Sequence, residues 1–154
     1  MGFDSRVEAL GLELPPAPRP VGVYKPIVQV DRLVYLSGHG PLKSDKTLIT
    51  GRVGLDLDVE AGYAAARQTG LGLLATLRSH LGSLDQVTRL IKLLGLVRCT
   101  ESFDQQPAVI NGCSELLRDV FGDEAGIAAR SALGTNALPG GIAVEIEAIF
   151  EVNT

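Results

Sequence analysis

Between residues 141 and 151 the chain alternates without a break. Ile142, Val144, Ile146, Ala148 and Phe150 fall on one parity, and Ala143, Glu145, Glu147, Ile149 and Glu151 on the other. A period of two is a strand, with one set on each face of a sheet. The apolar face has to be covered by another layer. Residues 58–82 supply the cover. Tyr63, Ala66, Gly70, Leu73, Leu77 and Leu81 recur there at spacings of three and four, one apolar stripe along a helix. Asp58 is placed to cap that helix, Glu60 sits at the positive end of its dipole, and Gly82 ends it. Glycines at 62, 70 and 72 lower helix propensity, so something must pack closely against them, a sheet being the expected neighbour.

The remaining segments complete an α+β order. Residues 1–20 form an arm. It begins with a short helix capped by Asp4 or Ser5, with Val7, Leu10 and Leu12 as apolar positions and Gly11 at its end. The extended run PPAPRP follows. Residues 21–154 read as one domain. Val28, Val30, Leu33 and Tyr35 alternate around a turn at Asp31-Arg32, giving two strands that break at the glycines 38 and 40. A short third strand is expected near residues 48–50. Residues 86–101 begin β-branched and are interrupted at Gly95, which favours a strand with a bulge there. Residues 105–121 form a second helix that buries Val109, Cys113, Leu116, Leu117 and Val120. Strands at 128–136 and 141–151 close the chain as a hairpin through Leu138-Pro139-Gly140-Gly141. The order β-β-β-α-β-α-β-β is a mixed sheet with two helices on one face. The opposite face, with Leu33, Tyr35 and Ile149, stays bare, and association through it is the simplest cover.

Composition supports that association and excludes several functions. The chain has 154 residues, one domain's worth. Its mean hydropathy of +0.22 is high for so small a domain, which points to surface buried against other copies. Fourteen Lys and Arg are scattered among 18 acids, for a net charge of -4. With no basic run, nucleic acid is not an expected partner. No apolar window is long enough to cross a membrane, so no membrane partner is expected. The opening MGFDSRVEALG lacks the apolar core of a signal peptide, and a cytoplasmic protein is expected. Cys99 and Cys113 form no CxxC pair and only two His are present, so no metal site is expected. No cofactor fingerprint is found.

The residues left to carry chemistry are few. Arg130 stands among Ala128, Ala129, Ser131, Ala132 and Gly134, whose small side chains leave room around a guanidinium. Its planar fork fits a carboxylate. It can equally pair with Glu145 or Glu147 across the hairpin, or point to solvent. Glu145 can handle protons if it is buried beside a ligand, or it is a solvated strand residue. Ser37, Gly38 and His39 lie where a strand ends in glycines, a common place for a pocket. Asn111 lies on a helix and can both donate and accept. Tyr24, at a strand start, serves packing or a ligand.

The run ARSALGTNALPGGIAVEIEAIF resembles the C-terminal signature of the reactive intermediate deaminase (RidA) family, also called the YjgF or endoribonuclease L-PSP family. VGVY, ending at Tyr24, then LVYLSGHG, the Ala-rich helix and VINGCSELLRDVFG follow in the family's order. The opening VEALGLELPPAPRPVGVY resembles a longer branch. The resemblance implies a chorismate-mutase-like fold, with three subunits packing their open sheet faces into a barrel. It implies ligand sites between subunits of a homotrimer and a small carboxylate-bearing metabolite as partner, with no cofactor. The implied activity is that of an enamine/imine deaminase, hydrolysing 2-imino and 2-enamino acids to 2-keto acids and ammonia. The family's carboxylate-holding Arg falls on Arg130, and its Glu near the imine on Glu145. Its pocket Tyr, Ser and Asn fall on Tyr24, Ser37 and Asn111, with Gly38 lining the pocket through its backbone. Departures are His39 for the family's Gln, Ala132 for a Cys, the missing Pro before Ala129-Arg130, and GDEAG lengthening the connection before that strand. Two other readings stand beside this one: a non-catalytic carboxylate binder on the same scaffold, and an endoribonuclease, which the acidic charge disfavours.

Overall fold

The computed structural model describes residues 1–153. In chain order the elements are α1 (Phe3–Ala9), β1 (Ile27–Val30), β2 (Leu33–His39), α2 (Val59–Leu81), β3 (Val87–Arg98), α3 (Gln106–Gly126), β4 (Ala129–Thr135) and β5 (Val144–Val152). The strands form one sheet in the order β1-β2-β5-β3-β4. β3 and β4 are parallel and the other pairs antiparallel. This is the mixed sheet with α2 and α3 on one face that the patterning calls for. The third strand expected near residues 48–50 is reduced to isolated bridges, Leu42 with Leu48 and Thr50 with Ile142.

Two features of the topology depart from expectation. The segments 128–136 and 141–151 do not form a hairpin. β3, α3 and β4 make a crossover unit, so β4 returns parallel to β3 and lies at the sheet edge. β5 instead enters between β2 and β3. There its Val144, Ile146, Ala148 and Phe150 are all buried beneath α2, and the Phe150 ring packs edge-on against Phe121 of α3. The bulge in β3 is also not at Gly95. Register shifts fall between Val87 and Arg89 and between Leu90 and Lys92, and they turn both Leu90 and Leu93 inward. Gly95 keeps regular register, and its lack of a side chain admits α3. A Cβ there would lie 2.6 Å from Ile110 Cδ1.

The glycines of α2 face mainly the second helix, where the sheet was expected. A Cβ on Gly62 would meet Val109, and one on Gly70 would meet Leu116 and Cys113, all on α3. From the other side, a Cβ on Gly112 would fall 2.0 Å from the carbonyl oxygen of Tyr63. Only Gly72 looks toward the sheet. Asp58 caps α2, its carboxylate accepting from the Ala61 amide at 2.8 Å, and Gly82 ends it with φ +81°. α3 outlasts its expected end at 121 because helix resumes after a break at Gly122, φ +86°.

The arm's helix docks on the domain, with Val7 buried and the Phe3 ring set edge-on to Phe121. Its cap comes from elsewhere than Asp4 or Ser5. Asp85 accepts from the amides of Phe3 and Asp4, while Asp4 accepts from Ser83 Oγ and the Leu84 amide. The start of α1 and the single helical turn Leu84–Gln86 just ahead of β3 thus cap each other. On the sheet's far side Val28, Val30, Tyr35 and Leu133 are between 43% and 56% exposed. Leu33 and Ile149 are half-buried on that side.

Candidate functional site

Arg130 registers with Leu93 on β3, a helix-facing residue, so its side chain rises toward α3. Nη1 donates to Asn111 Oδ1 at 2.7 Å and to Ser114 Oγ at 3.1 Å. Asn111 and Ser114 are three apart on the helix, hence on one face. The neutral acceptors fix one nitrogen without cancelling the charge, and the rest of the fork has no hydrogen-bond partner among the described residues. Around it lies a groove of about 340 Å³, whose lining includes Leu93, Asn111, Ser114, Arg118, Ile127 and Arg130. A guanidinium held on one side and open on the other is a ready carboxylate anchor. Ser114 escapes a reading of the sequence alone. Its spacing from Asn111 is the only trace it leaves there.

Cys113 lies beneath this face, wholly buried, and burial pushes its thiol up to about 12 despite the opposing pull of Arg130. It is an inert core thiol. Ala132 lies on the same side of β4 as Arg130, opposite Gly95, and packs against the core.

Glu145 is elsewhere. It registers with Leu96 on the bare side of the sheet, and β3 stands between its strand and that of Arg130. Within one chain the two therefore occupy opposite faces, and the pairing of Arg130 with Glu145 or Glu147 does not occur. Gly38 explains the seat of Glu145: a Cβ at 38 would lie 2.8 Å from the Glu145 carboxyl carbon. Partial burial raises the Glu145 pKa above the usual carboxylate range, and the neighbouring Glu147 adds to this.

Ser37 and Tyr24 lie on the β1–β2 side of the sheet. Ser37 Oγ donates to the Lys25 carbonyl at 2.5 Å, tying the segment after Tyr24 to β2. Tyr24 is 45% exposed, its hydroxyl accepting from the Val21 amide at 3.3 Å. His39 does not belong with them. The register shift between Leu36 and His39 turns it inward beneath α2, where it is 4% exposed. Nδ1 lies 2.6 Å from the Ser37 carbonyl and Nε2 2.7 Å from Thr76 Oγ1. It is a core histidine with both nitrogens engaged, and burial lowers its pKa.

The five-stranded mixed sheet with α2 and α3 paired on one face is the architecture of one class of protein. Residues 4–144 match the family described as "YjgF/chorismate_mutase-like, putative endoribonuclease", and the chain belongs to it. The solved structure of Atu1372 from Agrobacterium tumefaciens, described as of unknown function, is 38% identical with a TM-score of 0.89, covering 98% of this chain and 92% of that one. A "putative endoribonuclease" from Shewanella oneidensis is 31% identical with a TM-score of 0.94, over 99% of this chain and 100% of that one. Protein TCP17 of Trypanosoma cruzi is 38% identical over 149 residues, 97% of this chain and 93% of its own.

Proposed function

We propose that the chain is a cytoplasmic enamine/imine deaminase of the RidA type, acting as a homotrimer with its pocket between subunits. The observation that carries this reading is the half-occupied fork of Arg130, fixed by Asn111 and Ser114 and open to a groove. The trimer is motivated by where the other residues lie. Tyr24, Ser37 and Gly38 belong to the β1–β2 side of the sheet and Arg130 to the β4 edge, at opposite ends of the strand order. A head-to-tail ring sets one copy's β1 edge beside the next copy's β4 edge. It also buries the exposed apolar residues of the bare face.

In this site the substrate carboxylate takes the free edge of Arg130. A neighbour's Glu145 faces the imine. Water adds to the imine carbon while Glu145 accepts its proton and passes it to the nitrogen. The carbinolamine hydroxyl then loses its proton, by way of Glu145, to the amino nitrogen as the C–N bond breaks, leaving a keto acid and ammonia. The burial that raises the Glu145 pKa makes its carboxylate a better proton acceptor for that step. The test is the lifetime of imines generated in situ by an amino-acid oxidase. Wild-type protein should shorten it, and Glu145→Gln should slow hydrolysis by about 10²-fold while acid binding survives. An unchanged lifetime across several amino-acid side chains would overturn the deaminase reading.

A non-catalytic carboxylate binder on the same scaffold is the second reading. It is favoured by one observation: within a single chain the anchor and Glu145 lie on opposite faces of the sheet. The nuclease named in the family description has less support, since 14 Lys and Arg stand against 18 acids without a basic patch.

A further inference from the structure

The Arg130 groove has a second guanidinium at its far end. Ser114 and Arg118 are four residues apart on α3, so Arg118 lies one turn, about 6 Å, beyond the point where Arg130 is held. The sheet side runs the same way. Arg130 registers with Leu93, Leu90 lies one bulge earlier on β3, and the lining residue Gly126 folds back onto Arg118, where a Cβ on it would lie 2.8 Å from Arg118 Cα. The groove therefore has a defined axis, an apolar floor of Leu90 and Leu93, and an arginine at each end.

We propose that it takes a dicarboxylate, with one carboxylate on the free edge of Arg130 and the other on Arg118. This rests on the carboxylate-binding reading of Arg130. It narrows the substrate class to imino and keto acids with a second carboxylate on the side chain, those derived from acidic amino acids.

The charges nearby leave both arginines available. Arg118 has one ion pair among the described residues, with the adjacent Asp119 at 3.8 Å, both side chains about half exposed. Such a pair contributes little. No acid lies within ion-pair distance of Arg130 among the described residues. The one carboxylate in the lining, Glu115, is engaged by the Tyr63 hydroxyl of α2. The leucine floor suits the methylenes that join two carboxylates and offers nothing to a polar middle. The chain as a whole carries a charge of -4, which repels a dianion, so any preference for one must come from the local guanidinium pair.

The experiment is calorimetric titration of the full chain with 2-ketoglutarate and with 2-ketobutyrate, read as the ratio of the two affinities. Wild type should favour the dicarboxylate by about tenfold or more, with the steeper salt dependence of a doubly charged ligand. Arg118→Gln, a surface change, should bring the ratio close to one, and Arg118→Lys should keep part of the preference. No preference in wild type, or an undiminished one in Arg118→Gln, overturns the proposal and leaves the Arg130 anchor standing. The anchor is judged separately by Arg130→Lys with 2-ketobutyrate. If that variant binds as wild type does, both fall.

Discussion

Substituting Gly112 by alanine should destabilise the protein, although the same change inside a helix ordinarily stabilises it by about 1 kcal/mol. The reason is the seam between α2 and α3. A Cβ at 112 would sit 2.0 Å from the Tyr63 carbonyl oxygen and 3.0 Å from the Arg67 amide nitrogen. Both are backbone atoms, so no side chain can rotate away. The helices must part by more than an ångström before the contact becomes ordinary. Val109 and Leu116, which fill the spaces left by Gly62 and Gly70, then lose contact along the same seam. Overpacking costs about 1–3 kcal/mol, and a rigid backbone neighbour puts this site at the top of that range. After the helix-propensity gain the net loss is about 2 kcal/mol, a fall in Tm of about 4–8 °C for a chain of this size. α3 also carries Asn111 and Ser114, so 2-ketobutyrate binding should weaken with it. Gly72→Ala is the control. Its Cβ would meet nothing closer than 3.9 Å, so it should raise Tm by about 2–4 °C. The assay is thermal unfolding at one fixed protein concentration, since an oligomer's Tm depends on it. A Gly112→Ala protein as stable as wild type would refute the close-packed seam.

Three further outcomes are expected. Arg130→Lys keeps the charge but cannot hold Asn111 and Ser114 while offering a fork to a ligand. It should weaken 2-ketobutyrate binding by about tenfold or more, measured by calorimetry, with the assembly intact. Tyr35→Glu places a charge on the bare sheet face and should shift the proposed trimer toward monomer in light scattering. A wild-type protein that is monomeric at micromolar concentration would refute the assembly itself. His39 is held neutral, its folded-state pKa below the usual 6.5. Its contribution to stability is therefore complete above that value and declines as pH falls below it, because only the unfolded chain takes up the proton. The urea midpoint of wild type should drop between pH 7 and 5 more steeply than that of His39→Gln.

The local pattern of the sequence was enough for every major element. The alternation of 142–151, the stripe from Tyr63 to Leu81, the Asp58 cap and the Gly82 stop are properties of nearest neighbours along the chain, and periodicity reports such properties directly. The bare sheet face was legible too, because a strand shows both of its faces at once. What the pattern could not supply was which strands lie side by side. Residues 128–136 and 141–151 are adjacent in sequence and read as a hairpin, yet β5 entered between β2 and β3. That choice depends on what β5 buries against two helices, a sum over contacts distant in sequence. It separates Arg130 from Glu145 and gives Arg130 to Asn111 and Ser114 instead. His39 fell inward for a similar reason. A register shift in β2 reverses the face of the residues after it, and Gly38 inside that shift marks a break in the strand without saying which face His39 takes. The glycines of α2 announced a close neighbour, but only the packing decided that the neighbour was α3. A missing side chain says that space is needed and nothing about what fills it.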